Sequence, residues 1–227
     1  MATAAFAGGP FVAVSSASLV IGYAYSLGPI RLSYRTWLAP TVLAVAYAVV
    51  PYALGLLAAN GHVDRRDVLL CAALYALFLS RINLKDFRDR AGDAAYGKPT
   101  LLLARGKTVT CAVSGVALVV GCCTLVAALG AHPGVVAIAT LFTAAILAML
   151  RWLWTTSDQR EEQLAIGLGA KMGNGLLACT LTWLVLEAGG APEAIRVAAL
   201  AFVALVYGSV FLLLYARRDE IRIAYKA

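Results

Sequence analysis

The sequence predicts an all-α fold, a polytopic bundle of membrane helices. Three observations carry this reading. Of the 227 residues, 62% are hydrophobic and the mean hydropathy is +0.82, whereas a soluble domain is nearer half apolar. Apolar segments long enough to cross ~30 Å of hydrocarbon recur along the whole chain. Lys and Arg alternate between loops, as positive-inside sorting of a multi-pass protein requires. In lipid the backbone must satisfy its own hydrogen bonds, so the spans are helices.

Seven spans are expected, at 11–27, 36–58, 67–84, 109–130, 134–154, 168–188 and 194–215. They form a single membrane domain over residues 1–227. The first runs to the Gly28-Pro29 break. The second contains Pro40, Pro51 and Gly55, which membrane helices tolerate. The third is the weakest, because Asp67 and Arg81 crowd its ends. The fourth holds Cys111, Cys122 and Cys123; with Cys71 and Cys179, these lack metal or disulfide spacing and read as small packing residues. The fifth ends at Trp152 and Trp154, which with Trp37 and Tyr215 suit an aromatic belt. The sixth carries Lys171 and Asn174 near its start. The seventh is followed by Arg217-Arg218-Asp219-Glu220, an anchor for anionic headgroups.

Loops after the odd-numbered spans carry 15 of the 19 basic residues. This places the 81–107 loop and the C-terminus in the cytoplasm and the N-terminus outside, in an integral plasma-membrane protein. The first sixteen residues hold no Lys or Arg, so they are not a convincing signal peptide. His62 and His132 fall in loops on the far side and do not read as metal ligands.

The densest polar stretch is the 81–107 loop. It holds Arg81, Lys85, Arg88, Arg90, Lys98, Arg105 and Lys107, with Asp86, Asp89 and Asp93 among them. If the third helix continues through it, Asp86 and Asp89 stand three apart and Asp89 and Asp93 four apart, spacings that share a helix face. Like charges on one face repel unless a cation intervenes. Mg²⁺ suits the place, because it takes one or two carboxylates, waters and phosphate oxygens. Arg and Lys would balance the remaining phosphate charge. The alternative is a solvated loop, its basic residues supplied by positive-inside bias and its carboxylates held by local ion pairs. Charge counts alone leave both readings open.

The whole string resembles the second aspartate-rich motif of the UbiA superfamily of membrane prenyltransferases, K/R-D-x-x-D-x-x-G-D-x-x-x-G-x-x-T-L. Here it reads Lys85, Asp86, Asp89, Gly92, Asp93, Gly97, Thr100 and Leu101, with Gly106 following. Upstream, Tyr25-Ser26, Pro29 and Arg31 resemble a second family segment, expected on the same side of the membrane. The resemblance implies a helical fold around a cavity whose mouth binds Mg²⁺ and an isoprenyl diphosphate. Metal-assisted loss of diphosphate would give an allylic carbocation that alkylates an acceptor, with a dry cavity excluding water. It implies Asp86, Asp89 and Asp93 as metal ligands. Asp89, Asp93, Arg31 and Tyr25 would be the catalytic set. Lys85, Arg88, Lys98, Arg31 and Lys171 would bind substrate. The acceptor, of the quinone-precursor or lipid class, and the isoprenoid length are not legible.

One departure stands out. The family's first motif, of the NDxxDxxxD type, belongs upstream of Tyr25, but the 24 residues there contain no Asp, Asn or Glu. Asn60 and Asp64 fall on the opposite side. The chain is thus expected to match the C-terminal two-thirds of the family fold, with a separate chain or an upstream segment supplying the first motif. A short, inactive relative that binds an isoprenoid without chemistry is the alternative. A transporter is disfavoured, since the carboxylates lie in a loop and not at the midplane. The CDP-alcohol phosphotransferase pattern is disfavoured, because no DG…AR string stands ahead of Asp89 and Asp93. Nucleic acid is not an expected partner; membrane lipid is.

Among the remaining residues, Arg35 reads as positive-inside anchoring and Lys171 as a site group or a snorkelling cation. Asn174, between Gly173 and Gly175, suits helix packing. Residues 157–163 read as a short solvated loop.

Overall fold

A computed structural model describes residues 8–59 and 62–218. Asn60, Asp219 and Glu220 lie outside the described residues. Seven helices follow one another: α1 Gly9–Ser26, α2 Leu38–Ala58, α3 Arg65–Ala95, α4 Leu101–Ala128, α5 Pro133–Thr155, α6 Gln159–Ala188 and α7 Glu193–Ala216. A 3₁₀ turn, Leu32–Tyr34, links α1 to α2. No strand occurs among the described residues. The fold class is therefore the expected all-helical one.

Six of these helices, α2 to α7, are long and apolar enough to cross a membrane. α1 is helical where expected, but Ser15, Ser16 and Ser18 dilute its apolar character and it falls outside that set. Within α2, Val45–Val49 forms a π-turn just ahead of Pro51. A proline ring crowds the carbonyl four residues back and donates no N–H, and a widened turn accommodates both faults.

Three helices extend several residues beyond the expected spans: α3 past 84, α4 back to Leu101 and α6 back to Gln159. α3 begins at a reciprocal capping box, in which Asp64 accepts from Asp67 N at 2.8 Å and Asp67 accepts from Asp64 N at 3.1 Å. It then runs 31 residues, about 46 Å at 1.5 Å per residue, against ~30 Å of hydrocarbon. Its apolar part ends at Leu84, and Lys85 to Ala95 continue it as charged helix where the sequence reading has a loop. α6 starts at Gln159: Asp158 caps it by accepting from Arg160 N at 2.9 Å, and Thr156 donates to Glu161 at 2.6 Å. The expected loop at 157–163 is thus mostly a capped first turn, with Glu162 buried.

The chain divides into two compact units, Met1–Ala128 and Leu129–Ala227. In the first, α3 and α4 are the principal packed pair. α3 contributes Leu70, Ala73, Ala76, Ser80, Asn83, Leu84 and Phe87, and α4 contributes Ser114, Ala117, Leu118, Gly121 and Leu125. The stripe of small residues brings the backbones close: a Cβ on Gly121 would sit 3.0 Å from Leu77 N. In the second unit, Gly175 of α6 meets both neighbours, since a Cβ there would lie 2.5 Å from Phe142 of α5 and 2.8 Å from Tyr207 of α7. Gly175 is the packing contact; Asn174 beside it is exposed. His132 is structural: Nδ1 accepts from Gly134 N at 3.1 Å and Nε2 meets Glu193 at 2.8 Å. All five cysteines are free thiols.

Candidate metal and diphosphate site

The site grows from the turn between α3 and α4. α3 ends at Tyr96, and Gly97 takes φ +62°, the left-handed conformation that an L side chain resists. Lys98 N donates to Asp93 O at 2.9 Å and Gly97 N to Ala94 O at 3.1 Å. These two bonds define a Schellman C-cap. The turn folds Lys98 back over the helix end, and its Nζ reaches Asp93 Oδ1 at 3.1 Å. Thr100 then caps α4: its hydroxyl accepts from Leu103 N at 3.3 Å, and Leu101 and Leu102 are buried behind it. Gly106, with φ +80° and ψ 175°, interrupts α4 after its first turn. Gly97, Thr100, Leu101 and Gly106 are therefore the turn, cap, anchor and break of one reversal that delivers Lys98 to Asp93.

The carboxylates divide unequally. Asp86 and Asp93 are seven residues apart and share a face, with Asp89 about 60° round the helix. Asp89 is paired locally, with Lys85 and with Arg88, both at 3.6 Å and on exposed side chains. Such pairs contribute little, and local pairing, as in the solvated-loop reading, accounts for Asp89. Asp93 is drier: its side chain is 13% exposed, and Oδ2 is buried without a hydrogen-bond partner among the described residues. Asp86 is half-buried, and its carboxyl is pushed up to about 6, first by burial and then by Asp93 and Asp89, with Lys98 and Lys85 opposing. For Lys98, burial alone would lower the ammonium, but the hydrogen bond to Asp93 and nearby Asp86 carry it above the ordinary lysine value.

Tyr25 arrives from the other segment singled out in the sequence. It stands half-buried at the end of α1, within electrostatic reach of Lys98, Asp86, Asp93 and Tyr47. The two motif segments are thus at the same end of the first unit. Arg31 is exposed, with φ 47°, and its guanidinium lies 4.4 Å from the centre of the Tyr34 ring. Tyr34 OH in turn donates to Tyr96 O at 3.4 Å, tying the Arg31 loop to the end of α3. Sequence reasoning missed Tyr34, Tyr96 and Tyr47; an aromatic residue beside the motif, or at Tyr47 within a span, carries no signal of its own. Lys171 lies on an exposed face of α6, in the second unit. Among the described residues no three His, Cys, Asp or Glu side chains converge closely enough to hold a metal on their own. The arrangement offers a two-carboxylate face, not a closed cage.

Against protein-family models, residues 1–175 match the UbiA prenyltransferase family. The chain belongs to that family. No curated protein and no solved structure matches it. As a UbiA-family chain with six helices fit to span, it is an integral membrane protein of the prenyltransferase kind. The match takes in both motif segments, the whole of α1 to α5 and about half of α6. The UbiA match and the turn geometry therefore bear on the same residues.

Proposed function

We propose that the chain contributes the second half of a Mg²⁺-dependent prenyl-transfer site. The observation that carries this reading is the placement of Tyr25 within electrostatic reach of Asp86, Asp93 and Lys98, with Lys98 bonded to Asp93 at 3.1 Å. Two carboxylates on one face, one with an unpartnered buried oxygen, suit a hard cation that completes its shell with water and phosphate oxygens. Asp86 and Asp93 would hold the ion, with Asp89 released from its exposed pairs. Bound there, Mg²⁺ would supply charge stabilisation to the departing diphosphate. Lys98, Arg31, Lys85 and Arg88 bind the diphosphate oxygens. The allylic C–O bond breaks with its electron pair on the diphosphate. The carbon then bonds to an acceptor of the quinone-precursor or lipid class, which gives up a proton. Tyr25 stands beside the carbocation.

The 227 residues hold no carboxylate cluster of the first-motif type. The chain by itself is accordingly proposed to be inactive and to act with a partner or segment bearing that motif. Turnover by the purified chain with nothing added would refute that part. In the complete assembly, Asp89→Ala and Asp93→Ala each abolish Mg²⁺-dependent diphosphate release; unchanged turnover in both would sink the site assignment. The lack of a three-ligand metal set among the described residues favours one second reading, a non-catalytic isoprenoid-binding relative. It predicts binding of isoprenyl diphosphate with no release under any condition.

A further inference from the structure

We infer that Lys98 is a built-in counter-cation: in the ligand-free protein its ammonium occupies the seat beside Asp93 and competes with a divalent ion for it. The inference rests on the reading of Asp86 and Asp93 as a cation face, and adds what keeps that face closed when no substrate is bound.

Four features point this way. The Lys98–Asp93 contact is short, at 3.1 Å, and both side chains are largely shielded, at 30% and 13% exposure. The pairs on Asp89 are longer and far more exposed. The backbone fixes the contact, because the left-handed Gly97 and the Lys98 N to Asp93 O bond direct Lys98 onto that carboxylate. The pair satisfies only one oxygen, and Asp93 Oδ2 stays buried without a partner among the described residues. Asp86 also lies in the field of the same ammonium. A lysine fits the role better than an arginine: it is a point charge on a flexible stem that can leave one anion for another. A diphosphate arriving with its metal offers the ammonium a new partner at the moment the carboxylate is taken. Two like charges cannot share the seat, so metal without diphosphate binds poorly, and metal with diphosphate binds well.

The test is Mn²⁺ binding to the full chain in detergent, read by electron paramagnetic resonance without diphosphate, so that no turnover is needed. Lys98→Met should bind Mn²⁺ about tenfold more tightly than the parent, since an opposing charge at this range shifts ionic equilibria by one unit or more. Lys98→Gln, which retains a hydrogen-bond donor for Asp93, should do the same and serves if the Met variant does not fold. Lys98→Arg and Arg65→Met should stay within about twofold of the parent, the latter because Arg65 opens α3, about 42 Å along the helix from Asp93, and a charge so remote is screened by salt. Adding Asp93→Asn to Lys98→Met should cancel the gain. Unchanged or weaker Mn²⁺ binding in both uncharged variants overturns the inference, as does an equal gain in Arg65→Met. Neither result depends on diphosphate release, so this idea can fail while the assignment of Asp89 and Asp93 to turnover stands, and the reverse.

Discussion

A Cβ added to Gly97 would meet nothing within 4 Å, yet the residue holds φ +62°. Alanine there is opposed by backbone conformation alone, at about 1–2 kcal/mol. Gly97→Ala should lower the unfolding free energy by that amount, seen as a lower thermal midpoint in detergent, and Gly97→Asn by less, because Asn tolerates the left-handed region. Equal losses would mean that the turn matters less than its hydrogen bonds suggest. Asp86 gives a prediction in pH. Its folded-state value, about 6, lies above the ordinary carboxylate value, so the folded protein binds the extra proton. Without metal, this group's contribution to stability is greatest below the unfolded value near 4 and declines as pH rises through about 6. Asp86→Asn should flatten that part of the stability profile. Divalent-ion binding runs the other way, since it needs the carboxylate: affinity should climb between about pH 5 and 7 in the parent and lose that climb in Asp86→Asn. A parent profile flat across the window would refute the burial argument for Asp86.

At the scale of elements, the helices are legible from apolar runs, and their ends are not. Hydropathy ends the third span near 84, because Lys and Asp crowd the residues beyond it. The charged stretch stays helical because its helix has already been nucleated, and Phe87, within the motif, is buried at 1% exposure. The break at Gly106 is invisible for a different reason: a glycine in an apolar run looks the same whether its φ is negative or positive. Close approach of α3 and α4 is likewise unreadable, since a small residue reveals its purpose only when its neighbour is known. Gly121→Val should be strongly destabilising, because Leu77 backbone lies 3.0 Å from the first added carbon and overpacking costs about 1–3 kcal/mol or more. Gly92→Ala is the matched control. It sits in the partner helix α3 with nothing within 4 Å, so stability should hold or rise by up to about 1 kcal/mol. A Gly92→Ala protein that folds normally but loses diphosphate affinity would mark Gly92 as the place where ligand approaches the backbone.

For the whole molecule, the motif is readable because each of its residues has a separate job in one short reversal, and a string of such jobs seldom arises by chance. The division of labour among the carboxylates is not readable, because it depends on which lysine the turn brings back. The charge rule gives an expected orientation, with 15 of the 19 basic residues in loops assigned to one side. The fold adds an independent constraint. Tyr25 shares an end with Asp86 and Asp93, and α3, about 46 Å long by its rise per residue, carries Asp64 to the other end. Any orientation must therefore keep residues 25–35 and 86–100 together and oppose both to 62–64. In a cysteine-free background, single cysteines at Tyr96 and at Arg35 should resist a membrane-impermeant thiol reagent in intact cells and react after permeabilisation. A cysteine at Val63 should react in both states. If Tyr96 and Arg35 instead label in intact cells while Val63 is protected, the charge rule fails for this chain but the helical arrangement survives. If Tyr96 and Arg35 behave oppositely to each other, the meeting of the two motif segments is wrong, and the candidate site falls with it.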